Sequence, residues 1–444
     1  MSNDGAQTQG GLDAYLAQIE GGVDRSDVAA RPQRAKTAPG IEPAPASAPA
    51  AGAPTEGSYG WWSNVRPESA DANGFVRFFE TEPVSLSLDH LNDLLCWASE
   101  NAVSDVFLLA GFQLFMQRHG RLMRLTRRPL EVPEVNELIC SIKPGAEATL
   151  NAIDEVNSTY VINATRDTRY TFRVNAARCN ERNGGDRGLE AVLRPIPKEV
   201  PDLAYLNPEP LLLEYGFPSD GVVYMCGTTG SGKSTTLAAM VQHDVRNTER
   251  RWLTFEAPVE FPLMAITGMR GMVNQCEVHG KHLKTFAAGI RRALRAKPDV
   301  MLIGEARDQE TIEAVILAAE SGHGCYTTTH SHSVLNVLPR LAAAFSIDVY
   351  WSMMVKLIDT SRLLVAQKLV KNPKGGRTAL RELLPMPEAF RQQLIDGGPA
   401  NFARLMKAAL EERGISMAKA AAREFAAGNM FESDYKKIVV EIAA

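Results

Sequence analysis

The sequence predicts an α/β protein: a parallel sheet with helices on both faces, preceded by a smaller mixed α/β domain and followed by a helical C-terminal region. Three observations predict it. Residues 211 to about 385 alternate short apolar runs with segments of helical periodicity. The run Val222-Val-Tyr-Met-Cys226 leads straight into Gly227-Thr-Thr-Gly-Ser-Gly-Lys-Ser234 and then into a helix opening at Ser234-Thr-Thr-Leu-Ala-Ala-Met-Val241. Proline-rich stretches at 36–60 and 195–210 set this part of the chain off from what precedes it.

In chain order, residues 1 to about 75 form a tail and linker. Between Lys36 and Gly60, five prolines and seven alanines make 12 of 25 residues, the composition of an extended spacer. Upstream, Leu12, Tyr15, Leu16 and Ile19 fall on one face of a short helix, which fits either a docking peptide or a nascent helix without a role. From 76 to 200 the expected elements are a helix over Leu86–Glu100, strands over Ser104–Leu109 and Phe112–Met116, and a helix over Val132–Ile142. Strands over Tyr160–Ala164, Tyr170–Ala176 and Leu189–Leu193 complete a small sheet. Between 201 and 385, strands are expected at Val222–Cys226, Trp252–Glu256, Val300–Ile303 and Tyr326–Thr329, with a helix over Lys284–Ala296. From 386 to 444 the pattern is helical, including Asn401–Arg413 and Met417–Ala427, closed by Gly428.

Composition bounds the class. With 45% apolar and 23% charged residues in 444, the chain is an ordinary globular protein of two or three domains. A net charge of −4 and pI near 6.1 argue against direct nucleic-acid binding as a general role. Arg118, Arg121, Arg124, Arg127 and Arg128 form a local basic cluster with few aromatics between them, better suited to an acidic protein neighbour. The six cysteines are scattered with no Cys-x-x-Cys pair, as expected for free thiols in a reducing cytoplasm. No run approaches 18 apolar residues, so the expected location is cytoplasmic or peripheral to a membrane.

The chemistry starts at the glycine-rich loop. Its spacing, Gly-x4-Gly-Lys-Ser, lets backbone N–H groups curl around phosphates. Gly227, Gly230 and Gly232 can take positive φ, and Lys233 is placed to reach the β- and γ-phosphates. Ser234 offers a hydroxyl to Mg²⁺, and Thr228, Thr229, Ser231 and Thr235 complete the expected nucleotide contacts. A hydrolase also needs a carboxylate near the metal and a group that orients water. Glu305 follows the buried run Val300–Ile303, at the carboxyl edge where ligands sit in open α/β sheets. Glu256 and Glu260, after the Trp252 run, are the second acidic candidates. His323 and His330 flank the next strand, and the Thr-rich end at His330 suits a γ-phosphate sensor; ordinary strand-end histidines are the alternative. Arg291, Arg292 and Arg295 on the Lys284–Ala296 helix fit a solvated face or a phosphate or subunit contact.

Four segments together carry a resemblance. The phosphate loop, Glu256-Ala-Pro-Val-Glu260, Gly304-Glu-Ala-Arg-Asp308 and the Gly-His…Thr-Thr-His stretch ending at His330 resemble, in order and spacing, the nucleotide-site motifs of the secretion ATPase superfamily. The chain is similar to the PilT-like branch that powers type IVB (Dot/Icm) secretion and conjugation, the DotB/TraJ group, over roughly 85 to 440. Supporting stretches are Phe286–Pro298, Tyr326–His330, Gln367-Lys-Leu-Val370 and Arg377–Glu382. The resemblance implies a homohexameric ring of RecA-like domains, each preceded by a PAS-like domain that contacts the next subunit, with ATP and Mg²⁺ at the interfaces. It implies that Glu260 orients the attacking water, that Glu305 is the Walker B glutamate near Mg²⁺, and that His323 and His330 fill the histidine-box positions. It further implies that Arg173 and Arg194 reach across the interface to the γ-phosphate. The expected setting is a type IVB secretion or conjugation apparatus at the inner membrane, with peripheral attachment. A pilus retraction motor and a non-hydrolysing, nucleotide-gated assembly protein are the alternatives.

The chain also departs from that pattern. Ala257 replaces the common Asp of Glu-Asp-Pro, Ser331 follows His330 where Thr is usual, and the loop Asn180–Arg187 is longer than in pilus ATPases. The Ala-Ile-Arg-Asn-Leu-Ile-Arg-Glu motif of retraction motors and the four-cysteine zinc motif of extension and type II ATPases are missing, which favours the type IVB and conjugation branch.

Overall fold

In the computed structural model the described residues are 74–443, apart from 80, 119–120, 154, 166–167, 181–187 and 279–282. The apolar face at Leu12–Ile19 and most of the long loop Asn180–Arg187 lie outside them. The described chain divides into two units, one over 74–199 with Glu260–Pro262, the other over Val200–Val259 and 263–443.

The first unit is α+β. Helix α1 (Leu88–Glu100) starts at a capping box: Ser87 Oγ accepts from His90 N, and His90 Nδ1 accepts from Ser87 N. Leu91, Leu94, Leu95 and Ala98 bury its inner face. Strands β1 (Val103–Leu109), β2 (Phe115–Arg118) and β3 (Arg121–Arg124) make a meander. After α2 (Val132–Ile142) and α3 (Ala146–Ile153), β4 (Glu155–Asn163), β5 (Arg169–Cys179) and β6 (Gly188–Ile196) finish an antiparallel sheet of order β3-β2-β1-β6-β5-β4. The alternation Phe172, Val174, Ala176 on β5 and Leu189, Ala191, Leu193 on β6 turns one face onto a core with Leu94, Val106 and Leu138.

One expectation is corrected in this unit. The strand expected over Phe112–Met116 begins three residues later, because Phe112 N bonds Leu109 O in a turn and Leu114 N is held by Thr126 Oγ1. Three of the five arginines of the basic cluster are engaged within the unit. Arg118 lies over the Trp97 ring and bonds Asn101 O, Arg127 lies over Phe75, and Arg128 grips Glu134. Arg118 and Arg127 thereby join segments distant in sequence, while Arg128 reaches a residue six positions on.

The Arg128–Glu134 pair yields a pH prediction. Glu134, 7% exposed, accepts Arg128 Nη1 at 2.8 Å and Nη2 at 2.6 Å, with Leu86 N and Glu131 N on the same carboxylate. Burial pushes this carboxyl up, but the guanidinium and the two backbone donors outweigh it and hold it below its ordinary value. A lowered folded-state value means the stabilisation is present above the unfolded pKa and is lost as pH falls through the folded one. Glu134→Gln is expected to cost about 2 kcal/mol near pH 7. The gap from the wild type should narrow as pH drops below about 4, measured by urea unfolding at each pH; a pH-independent gap would refute the ion-pair assignment.

The second unit carries the larger sheet. Its strands are β7 (Gly221–Cys226), β8 (Arg251–Glu256), β9 (Met272–Glu277), β10 (Val300–Ile303), β11 (Gly324–Thr329), β12 (Ser361–Lys371) and β13 (Arg377–Pro385). The order is β13-β12-β7-β11-β10-β8-β9, all parallel except for antiparallel β13 at the edge. Strands β7 and β10 are buried at every position, the reason each appears as an unbroken apolar run rather than an alternation. Helix α4 (Pro210–Tyr215) precedes the sheet. Helices α5 (Lys233–Asn247), α6 (Phe286–Ala293), α7 (Gln309–Glu320), α8 (Val337–Ala342) and α9 (Tyr350–Thr360) connect its strands. The helical C-terminal region follows as α10 (Glu388–Arg413), interrupted at Gly398 (φ 64°), then α11 (Met417–Ala426) and α12 (Glu432–Ala443). Helices α11 and α12 share a small core with Val370 and Leu380 of the β12–β13 hairpin. Among the described residues, no helix is long and apolar enough to cross a membrane.

Candidate active site

The sheet order builds the site. The loop after β7, the loop after β11 and the loop after β10 leave the same edge of three adjacent parallel strands. They bring Gly227–Lys233, His330 and Glu305 to one place, although these lie far apart in sequence.

The phosphate loop has the backbone its glycines foretell: φ is 146° at Gly227, 77° at Gly230 and 83° at Gly232. A Cβ at Gly227 would stand 2.4 Å from Gln367 O and 2.6 Å from Ser231 Oγ, so side chains are excluded there by contact as well as by φ. Helix α5 opens at Gly232, so its N-terminal N–H groups and dipole face the loop's mouth. Lys233 Nζ bonds Gly227 O at 2.9 Å and Thr228 O at 3.0 Å, which holds the ammonium at that mouth. Thr228, Thr229 and Gly230 are exposed, Gly232, Lys233, Ser234 and Thr235 are half-buried, and Ser231 is buried. Cys226, beneath the loop, has its thiol pushed up to about 12, chiefly by burial, so it stays a protonated packing group.

An open cavity of about 520 Å³ lies between Gly227–Thr229 and His330–His332, with Asn336 and Arg340 completing the wall. That is within the range of small-ligand sites. Glu305 stands beside His330 of its wall, 81% shielded, with Oε2 2.9 Å from Arg307 Nη2 and Oε1 3.4 Å from His330 Nε2. Thr328 Oγ1 bonds Gly304 O and so ties the two loop starts together. Asp308 caps α7 through Thr311 N and Oγ1, which fixes where the Gly304–Asp308 segment ends.

Other expected residues have surroundings of their own. His323 precedes β11, at the opposite end of the strand from His330, roughly 20 Å along the chain at 3.3 Å per residue. Its Nδ1 faces Ala318 O at 3.2 Å, at the far end of the strand from His330 within this chain. Glu256 accepts from Thr254 Oγ1 at 2.7 Å and Gln275 Nε2 at 2.8 Å, engaged within the sheet. Glu260 is exposed and groups with the first unit. Arg291 pairs with Glu310 across α6 and α7 at 2.9 Å.

Arg173 and Arg194 lie in the first unit, directly opposite each other in the β5–β6 register. Like charges in that position oppose pairing. Arg194 is fixed by Asp105, which is 5% exposed, at 2.8 Å, while its own side chain remains 56% exposed. Two guanidiniums thus share one sheet face, one of them aimed by a buried carboxylate. Arg340 and Asn336 were not marked by the sequence; the available signal was a cation ten residues past His330.

Comparison with known proteins adds relatives. A family model described as Type II/IV secretion system protein matches residues 209–415. The Type IV pilus retractation ATPase PilT of Pseudomonas aeruginosa is 32% identical over 302 residues, spanning 68% of this chain and 84% of that protein. The crystal structure of the Legionella pneumophila ATPase DotB superposes with TM-score 0.71 at 34% identity, covering 81% of this chain and 98% of that one. The pilus retraction motor PilT with bound ADP gives TM-score 0.66 at 26% identity over 80% of this chain and 96% of that one.

Proposed function

This chain belongs to the Type II/IV secretion system protein family and is an ATPase of the secretion and pilus type, and from that premise we propose that it works as a ring, hydrolysing ATP between subunits to drive a type IVB secretion or conjugation apparatus.

 The observation that carries this reading is the guanidinium pair: Arg173 and Arg194 stand on one face of the first unit, with Arg194 aimed by buried Asp105. Cations held this way suit a γ-phosphate presented by a neighbouring copy, where they stabilise the charge that develops during phosphoryl transfer.

The residues present fit Mg²⁺-ATP. The glycine cradle at Gly227, which a Cβ would fill, suits the phosphates, and the Ser234 hydroxyl and Glu305 carboxylate are hard oxygen donors of the kind that hold Mg²⁺ beside phosphates. When bound, Mg²⁺ neutralises phosphate charge. Lys233 and the α5 N-terminus orient the phosphates, and Glu260 orients the attacking water. His330, within reach of Glu305, senses the γ-phosphate end of the site. The similarity to DotB supports the type IVB setting, and peripheral attachment at the inner membrane belongs to the same proposal. The 32% identity with PilT supports a second reading, a retraction motor running the same chemistry.

Mixing inactive proteins tests the shared site. Arg173→Ala/Arg194→Ala protein and Lys233→Ala protein should each be nearly inactive. Mixed one to one and allowed to exchange subunits, they should regain activity, because about a quarter of head-to-tail interfaces then join an intact loop to intact arginines. No recovery in rings shown to be mixed would refute a site shared in this way.

A further inference from the structure

A ladder of buried polar groups runs from beneath the phosphate loop to the C-terminal helices. On β12, the neighbour of β7, Gln367 is 3% exposed. Its Nε2 donates to Ser231 O at 2.7 Å, while its Oε1 accepts from Thr236 Oγ1 at 2.8 Å and from Arg381 Nε at 3.0 Å. One amide therefore grips the loop and the first turns of α5 together. Its orientation is not free: Ser231 O only accepts and Arg381 only donates, so a flipped amide would lose both bonds.

Arg381 on β13 is fully buried. Its Nη1 meets Glu209 Oε2 at 3.1 Å and its Nη2 donates to Leu206 O at 3.0 Å. Glu209, also fully buried, takes Arg423 Nη2 of α11 at 2.8 Å on its other oxygen. The next residue of β13, Glu382, points to the opposite face of the sheet. It accepts Ser333 Oγ at 2.7 Å and Val334 N at 2.9 Å from the segment after His330, and Met417 N of α11 at 3.1 Å. Both sides of the nucleotide site thus reach α11 through adjacent residues of one strand. A buried ion pair is weak support for stability, since apolar replacements of similar volume often serve as well. A geometric role accounts for this one better.

We propose that Gln367 is a positioning residue of the phosphate loop, and that Arg381 sets its amide so that loop geometry is tied to the seating of α11. This rests on the loop holding ATP. The test uses the full-length protein, with KM and kcat for ATP and the melting temperature measured for each variant. Gln367→Glu still accepts from Thr236 and Arg381 but sets a carboxylate oxygen against Ser231 O. Arg381→Lys keeps a charge for Glu209 but cannot also reach Gln367 with a planar fork. Each is expected to raise KM about tenfold with kcat changed less than threefold, because Lys233, Ser234 and Glu305 are untouched. Gln367→Asn, too short to span both partners, should resemble Gln367→Glu. Lowered melting temperatures with KM within twofold of wild type in both variants would overturn the proposal and leave a structural role. A wild type that neither binds nor hydrolyses ATP would instead overturn the functional reading beneath it.

Discussion

Lys233→Ala is expected to lower ATP turnover by on the order of 10²- to 10³-fold, the usual loss when a preorganised group facing developing charge is removed. Lys233 lies at the first turn of α5, where its ammonium adds to the helix dipole at the loop's mouth. Its position is fixed by bonds to Gly227 O and Thr228 O, so the charge is held before phosphate arrives rather than recruited from solvent. Alanine removes the cation and leaves both carbonyls facing water, a change of about 1 kcal/mol each in stability. The protein should therefore stay folded while binding of a fluorescent ADP weakens and phosphate release nearly stops. Turnover within threefold of wild type would show that the loop is not the catalytic nucleotide site.

Glu305→Gln should separate binding from hydrolysis. The amide keeps the carboxylate's shape, and the Arg307 pair it weakens has a largely exposed guanidinium, so the fold should lose less than about 1 kcal/mol. Nucleotide affinity rests chiefly on the loop and should change only severalfold. Turnover should fall on the order of 10²-fold, because the carboxylate proposed to act beside the γ-phosphate is gone. Phosphate release measured alongside labelled-nucleotide binding tests this. Equal losses in binding and turnover would place Glu305 among the binding groups instead.

Much of the second unit was legible because parallel strands covered on both faces must be apolar throughout. Val300–Ile303 is buried at all four positions and matches its expected bounds. Strand β9 was not legible: at the sheet edge it runs as Met-Val-Asn-Gln-Cys-Glu with one buried residue, so no period marks it. The β2–β3 hairpin was obscured in the same way by arginines that turn out to lie over Trp97 or to line its exposed side. Arg381 carries no local mark of its burial. Nothing in Thr-Ala-Leu-Arg-Glu sets it apart from a surface cation, yet it is fully buried because Glu209 meets it from 172 residues away. The same limit applies to Arg194, whose partner Asp105 is 89 residues distant. His323 and His330 looked equivalent in sequence, and only strand direction placed them at opposite ends of β11.

The sequence by itself determined the phosphate loop, because its conformation depends on local residue identity: glycines where φ is positive, a helix former where the dipole is needed. It also determined the buried strands that support the loop. The tertiary structure alone decided which distant residues brace the site and how the expected ones meet. The order β12-β7-β11-β10 sets Gln367, the loop, His330 and Glu305 side by side, and strand order arises from how crossover helices pack on the sheet, which no local pattern encodes.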